Sequence, residues 1–311
     1  MGGQRVLVTG GAGFIGRHVV RAFEAAGATV VSADLVAGSG PSGDLRDPAF
    51  RDAVVTEDLD GIVHLAAATS VLASMKDPAG VHELNVTATA GLLELARRRG
   101  VSRFLLASTN AVVGNLGAAT IDEISPLRPL TPYGASKAAC EMLLSGYAGA
   151  YGMTTCALRF TNVYGPGMDR KDSFVPRLMR AALENGSVRI YGDGRQRRDL
   201  VYVEDIARGV LTAWEHGATG PLVIGAGRSV SVLELVEAAR KATGVDIGAE
   251  HVAAQNGEMP AVVVDIGRAR ALGYDPRVGL EEGLTEVWAD FRGHGSSDHT
   301  SADSSSETHR A

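Results

Sequence analysis

The sequence is poor in the features that mark secreted, membrane-spanning or nucleic-acid-binding proteins. Its 311 residues include two cysteines, Cys140 and Cys156, which make neither a disulfide framework nor a metal pattern. They read as reduced, partly buried thiols of a cytoplasmic protein. No apolar run approaches the roughly 18 residues of a membrane span. The opening MGGQRVLVTGG goes straight into a strand pattern without signal-peptide architecture. Gly2 opens no myristoylation motif, because Arg5 and Val6 belong to the strand and Val6 is neither Ser nor Thr. A net charge of -6 advertises no nucleic-acid surface, although a local site in an acidic protein can still take an anion. Internal repeats are absent.

What is present is alternation. RVLVT (5–9), TVVSA (29–33), GIVHLAA (61–67), SRFLLAS (102–108) and TTCALRF (154–160) are short apolar runs that read as strands. Residues 14–27 read as a helix ending at a glycine. Residues 77–100 read as one long helix, with Val81, Leu84, Ala88, Leu92 and Leu95 on a single stripe. Apolar strands alternating with helices imply a parallel sheet covered on both faces, a doubly wound α/β fold. Beyond about residue 165 the rhythm loosens. Residues 172–186 and 229–244 read as helices, the second opening on a capping box of Ser231 and Glu234. LVYVEDIARGVLTAW and GPLVIGAG are expected to return to the main sheet. The expected organisation is a large domain over 1–165 with returning segments near 199–226, a smaller interleaved α/β domain over 166–293, and a disordered tail over 294–311.

The first strand runs through TGGAGFIG (9–16) into the first helix. Gly10, Gly13 and Gly16 lie three apart, and Gly11, Gly13 and Gly16 fit G-x-G-x-x-G equally well. Either set allows a tight turn that aims a helix N-terminus at a pyrophosphate. Asp34 closes the second strand, where a carboxylate accepts from the ribose hydroxyls and repels a 2′-phosphate. With no arginine immediately after it, NAD is favoured over NADP. Asp44 and Leu45 either cover the adenine or form a simple turn before Pro48.

Tyr133 and Lys137 stand one helical turn apart and share a face. Tyr-x-x-x-Lys arises often by chance. Beside a dinucleotide loop it reads as an acid–base pair, because a tyrosine with its ordinary pKa of about 10 needs positive neighbours to act as a base at neutral pH.

These motifs together resemble an extended short-chain dehydrogenase/reductase of the nucleotide-sugar epimerase and dehydratase group. The matching pieces are TGGAGFIG (9–16), HLAA (64–67), Asp77-Pro78 with Asn85-Val86, STNAVVG (108–114), PYGASK (132–137), RFTNVYGP (159–166) and GDGRQRRDLVYVEDIA (192–207), in order over nearly the whole chain. The resemblance implies a Rossmann domain that holds NAD through Gly10, Gly13, Phe14, Ile15, Gly16, Asp34, Asp44, Leu45, Leu65, Ala66 and Ala67, and a smaller substrate-binding domain. It makes Thr109, Tyr133 and Lys137 catalytic. Tyr133 is the base, Lys137 also holds the cofactor through its nicotinamide ribose, and Thr109 donates to the sugar hydroxyl, with Ser108 a less favoured neighbour. Asn162 and Arg198 would meet the substrate diphosphate. No metal is implied. A homodimer is implied, built as a four-helix bundle from residues 77–99 and 133–150 of two copies.

Dehydratases of the group carry Asp-Glu directly after the threonine, and nucleotide-glucuronate decarboxylases keep the glutamate. Here Asn110 and Ala111 follow Thr109. By elimination the expected reaction is 4-epimerisation of a UDP-sugar, with UDP-glucose/UDP-galactose or UDP-glucuronate/UDP-galacturonate as candidate pairs. A nucleotide-4-ketosugar reductase is a second reading, and a non-catalytic dinucleotide-sensing protein a third. Two departures from the family touch the substrate side. Val113 replaces a common tyrosine, and QNGEMP (255–260) offers Gln255 and Asn256 where an arginine is usual. Arg170 and Lys171 read as solvated charges, and His64 as a packing residue of the cofactor strand.

Overall fold

A computed structural model describes residues 1–38, 40–253 and 261–298, with only the backbone described over 294–298. The chain divides into two compact units, the first made of residues 1–163, 197–229 and 259–276, the second of 164–196, 230–258 and 277–311.

The first unit is built on six parallel strands: β1 (Arg5–Thr9), β2 (Thr29–Ala33), β3 (Gly61–His64), β4 (Arg103–Thr109), β5 (Thr154–Phe160) and β6 (Gly220–Ile224). Their order is β6-β5-β4-β3-β1-β2. Register pairs Val6 with both Val30 and Gly61, and Leu105 with Cys156. Side chains alternate across a strand. Val6, Val8, Val63, Leu105 and Leu158 therefore enter one core, with Phe23, Val210 and Trp214 from its covering helices. Leu7, Ile62, Phe104 and Leu106 enter the other, with Leu92, Leu93, Cys140 and Leu144. Burial on both faces is why the central strands lack polar alternation. The chain builds β2 on one side of β1 and β3 on the other, so the carboxyl ends of β1 and β3 flank the point where strand order reverses. Such crevices are where open α/β sheets bind ligands.

Three elements differ from the sequence reading. The helix expected over 77–100 is interrupted: an α-helix over Pro78–His82 passes through a π-helical turn, Glu83–Thr87, into a second α-helix, Ala88–Arg98. The added residue turns Asn85 inward, 1 % exposed, and leaves Leu84 half-buried. RRDLVY (197–202) leaves the main sheet and pairs instead beside the short strand that begins at Asn162. GPLVI does join the main sheet, as its edge strand β6. The tail expected from residue 294 gives way to the last helix, Leu280–Asp298. Leu284, Val287 and Phe291 are buried. Once they fix that helix, each further residue needs only propagation, which costs far less than nucleation. Residues 299–311 lie outside the described residues.

In the second unit, the strands Ser187–Tyr191 and Gly248–Val252 pair in parallel, and Phe174–Leu183 and Val232–Thr243 are helices. The capping box is present in full, with Ser231 accepting from the Glu234 amide and Glu234 from the Ser231 amide.

Candidate active site

The glycine loop shows why its residues lack side chains. Gly10 has φ +72°, and a Cβ there would stand 2.7 Å from the Ala66 nitrogen. A Cβ on Gly16 would lie 1.9 Å from the Gly10 carbonyl oxygen, whereas one on Gly13 would meet only that oxygen, at 3.1 Å. Gly10 and Gly16 thus make the turn itself, and Gly13 leaves its outer side clear. The helix Gly16–Ala25 begins with no side-chain cap, as a helix N-terminus that receives an anion does. Phe14 and Ile15 lie between loop and helix, and Leu65, Ala66 and Ala67 continue β3 across the crevice. The Asp34 carboxylate accepts from the Ala12 amide at 3.0 Å and the Val36 amide at 3.2 Å. It borders a cleft of about 260 Å³ with Gly11, Ala12, Ser32, Gly38 and Gly40. A glycine cradle, an uncapped helix start and a carboxylate beside the loop fit a dinucleotide with a free ribose. Asp44 is tied to its own turn, accepting from the Arg46 amide at 2.8 Å and from its guanidinium, while Leu45 is buried in the core beside it.

The helix Pro132–Tyr151 carries the Tyr133/Lys137 pair. Thr131 caps it by accepting from the Gly134 amide, Pro132 starts it, and Gly152 ends it in the left-handed conformation. A Cβ on Gly134 would stand 2.8 Å from the Ala111 carbonyl oxygen. The helix start therefore lies against the turn that follows β4, and Thr109 and Tyr133 meet there. The neighbouring Thr109 hydroxyl lowers the Tyr133 pKa, but burial outweighs it and pushes the phenol up to about 12. Lys137, 3 % exposed, donates to the Ala107 carbonyl at 2.8 Å. Burial lowers its pKa to about 8. The chain alone thus does not ionise the tyrosine; the desolvated site does the opposite until further positive charge enters it.

Sequence reasoning left several neighbours without a role. Asn85 accepts from the Ala68 amide and donates to the Ala68 carbonyl and to Ser136 Oγ. Ser136 in turn donates to the Tyr133 carbonyl at 2.7 Å. His64 Nδ1 faces Thr9 Oγ1 at 2.6 Å, and Nε2 faces Thr89 Oγ1 at 2.9 Å. Because Thr89 gives its own proton to the Asn85 carbonyl, its oxygen must accept from His64. His64 is therefore the Nε2–H tautomer, accepting from Thr9. Burial, reinforced by the Lys137 charge, keeps it neutral with a pKa of about 3. This chain ties the end of β1 to the π-helical turn. No spacing rule in the sequence points to it, since its members come from four separate segments.

On the substrate side, Asn162 donates to the Asp199 carbonyl at 3.0 Å, and Arg198 to the Arg197 carbonyl at 2.8 Å. Val113 is fully buried in the core. In the second unit the Arg170 side chain is 97 % exposed, while burial lowers the Lys171 pKa. Gln255 and Asn256 lie outside the described residues. No group of metal-ligating side chains occurs among the described residues, and none of their helices is long and apolar enough to cross a membrane.

Comparison with known proteins gives a consistent picture. The model of the NAD dependent epimerase/dehydratase family matches residues 6–225. A putative UDP-glucose 4-epimerase of Methanocaldococcus jannaschii is 33 % identical over 297 residues, covering 91 % of this chain and 96 % of that protein. A dTDP-glucose 4,6-dehydratase of Streptomyces niveus is 34 % identical over 308 residues, covering 91 % of each. The crystal structure of Thermus thermophilus UDP-glucose 4-epimerase in complex with NAD superposes with a TM-score of 0.85 at 34 % identity, covering 93 % of this chain and 99 % of that one.

Proposed function

The chain belongs to the NAD dependent epimerase/dehydratase family, and on that premise we propose that it is an NAD-dependent epimerase acting at carbon 4 of a UDP-sugar. The observation that carries this choice of reaction is the convergence of Thr109, Tyr133 and Lys137 beside Asn110 and Ala111. Neither Asn110 nor Ala111 has a carboxyl group to remove water from the sugar. Bound NAD supplies the acceptor for the carbon-4 hydride and gives it back. Gly10, Gly13, Phe14, Ile15 and Gly16 would hold its pyrophosphate, Asp34 its adenosine ribose, Asp44 and Leu45 its adenine, and Leu65, Ala66 and Ala67 its other flank. Tyr133 takes the proton of the 4-hydroxyl, Thr109 donates to that oxygen and relays the proton, and Lys137 places a positive charge beside the phenol and holds the nicotinamide ribose. Asn162 and Arg198 meet the diphosphate. The 4-keto sugar then turns over, and Tyr133 returns the proton as the hydride adds to the other face.

We place the enzyme in the cytoplasm, in keeping with the buried free thiols of Cys140 and Cys156. We also propose that it is a homodimer. Leu72 and Met75 of the helix Val71–Lys76 and Met142 and Tyr151 of the helix Pro132–Tyr151 are exposed at 55–58 %, and a second copy would cover them. Light scattering should give twice the chain mass; a monomer at micromolar concentration would overturn this.

The test of the reaction uses purified protein without added cofactor, given UDP-glucose and separately UDP-glucuronate, with proton NMR of the sugar ring. The carbon-4 epimer is expected to appear at many turnovers per enzyme, and the faster substrate identifies the sugar pair. No change in either while NAD is bound would transfer the assignment to a 4-ketosugar reductase. A 4-keto-6-deoxy product would make it a dehydratase.

A further inference from the structure

Two buried charges near the site have no part in the chemistry just described. Glu141 stands one turn beyond Lys137, on the sheet-facing side of the same helix. Arg159 lies in strand β5, between Leu158 and Phe160. Their side chains are 5 % and 4 % exposed. Arg159 Nε donates to the two Glu141 oxygens at 3.1 and 3.2 Å, and Nη2 to one of them at 2.8 Å. Arg159 Nη1 goes to the carbonyls of Asp122 and Glu123, at 3.1 and 3.2 Å. Ser108 Oγ donates to Glu141 at 2.5 Å.

The consequence lies in the order of contacts along β4. Ala107 receives Lys137 on its carbonyl, Ser108 bonds Glu141, and Thr109 faces Tyr133 closely enough to lower its pKa. Three successive strand residues hold three successive turns of one helix. Of the three contacts, only the middle one belongs to a buried ion pair. Its carboxylate has a fixed fork to meet, which tolerates little displacement.

We propose that Glu141, held by Arg159 and Ser108, is a positioning residue that sets the register of Tyr133 and Lys137 against Thr109. The proposal rests on the reading of Tyr133 as the base. Besides Arg159, Cys140 and Cys156 feel the Glu141 charge, and next to them stand the ionisable groups Lys137, Glu123, Arg268 and His64.

The test is Glu141→Gln in the NAD-loaded protein, with two readouts. The first is steady-state kinetics: kcat is expected to fall at least tenfold while KM for the UDP-sugar stays within twofold. The second is the tyrosinate absorbance that Tyr133→Phe removes, titrated against pH. The neighbouring Thr109 hydroxyl lowers the Tyr133 pKa, so a lost register raises it. A bare charge effect runs the other way, because a neutral amide in place of the carboxylate would leave the Arg159 charge unpaired, and positive charge lowers a phenol pKa. An upward shift supports positioning; a downward or absent shift, or an unchanged kcat, overturns it. If Glu141→Gln does not fold, Ser108→Ala removes one tie without changing charge. It should raise the Tyr133 pKa by a smaller step, and no rise overturns the proposal. The titration needs no turnover, so it reads the register even if the wild-type protein leaves every UDP-sugar unchanged and the epimerase reading fails.

Discussion

Tyr133→Phe is expected to lower kcat by a factor on the order of 10³, the range a positioned general base contributes, while NAD affinity stays within about threefold. The phenyl ring keeps the packing of the half-buried phenol and removes only the oxygen proposed to take the proton. The same residue sets a pH dependence with a definite sign. Burial pushes the phenol up to about 12, so the phenolate is scarce at neutral pH unless positive charge stands nearby. On the proposed mechanism the oxidised cofactor and the Lys137 ammonium would both lower that pKa. Activity must therefore rise with pH as the phenol ionises and fall as pH drops. Lys137 acts in the opposite direction. Its pKa is lowered to about 8, so raising the pH above that value removes the charge that supports the phenolate. The expected kcat profile is a bell whose two limbs belong to the coupled pair and not to either residue alone. Stopped assays across pH 5 to 10 on wild type and variant decide it. A variant that keeps more than a tenth of the wild-type kcat would remove Tyr133 from the base role.

The sheet was legible in the sequence because its strands are short runs rich in apolar and β-branched residues. RVLVT, TVVSA and TTCALRF are such runs, and their boundaries match β1, β2 and β5 residue for residue. The glycine loop was legible because strand, turn and helix must follow one another without a gap. The long helix over 77–100 was misread for a physical reason. A stripe at 3.6-residue spacing assumes that every turn is alike, and the π-helical turn at Glu83–Thr87 breaks that phase to bring in Asn85. Hydropathy does not record such a turn. Asn85 in an apolar stripe was the available sign, as a buried amide needs partners. Glu141 and Arg159 had signs of the same kind: a carboxylate on the sheet-facing stripe of a helix, and a guanidinium between Leu158 and Phe160 of a strand. Charges in such places are almost never buried without each other. Their pairing still could not be read, because they stand 18 positions apart on a helix and a strand.

Gly16→Ala is expected to cost both the fold's stability and its cofactor, and the geometry says why one methyl group is enough. Its Cβ would stand 1.9 Å from the Gly10 oxygen and 2.8 Å from both the Gly10 carbonyl carbon and the Gly11 Cα. All three are backbone atoms, so no rotamer change relieves the clash. Gly10 cannot retreat either. Its amide donates to the Ala33 carbonyl at 2.8 Å, and its far side already lies against Ala66. The helix start must therefore move outward, away from the crevice its amides are meant to serve. Overpacking of this kind costs about 1–3 kcal/mol, a loss of several degrees in melting temperature for a chain of this size. The cofactor loss should be the larger effect, at least a hundredfold in affinity, and visible as purified protein without bound NAD. Gly13→Ala separates the two. Its Cβ meets only the Gly10 oxygen, at 3.1 Å, so the variant should melt within about two degrees of wild type while binding NAD more weakly. Thermal melting and calorimetric titration with NAD on both variants read the two effects independently. If Gly16→Ala melts like wild type and keeps its NAD, the loop does not hold the cofactor through this turn.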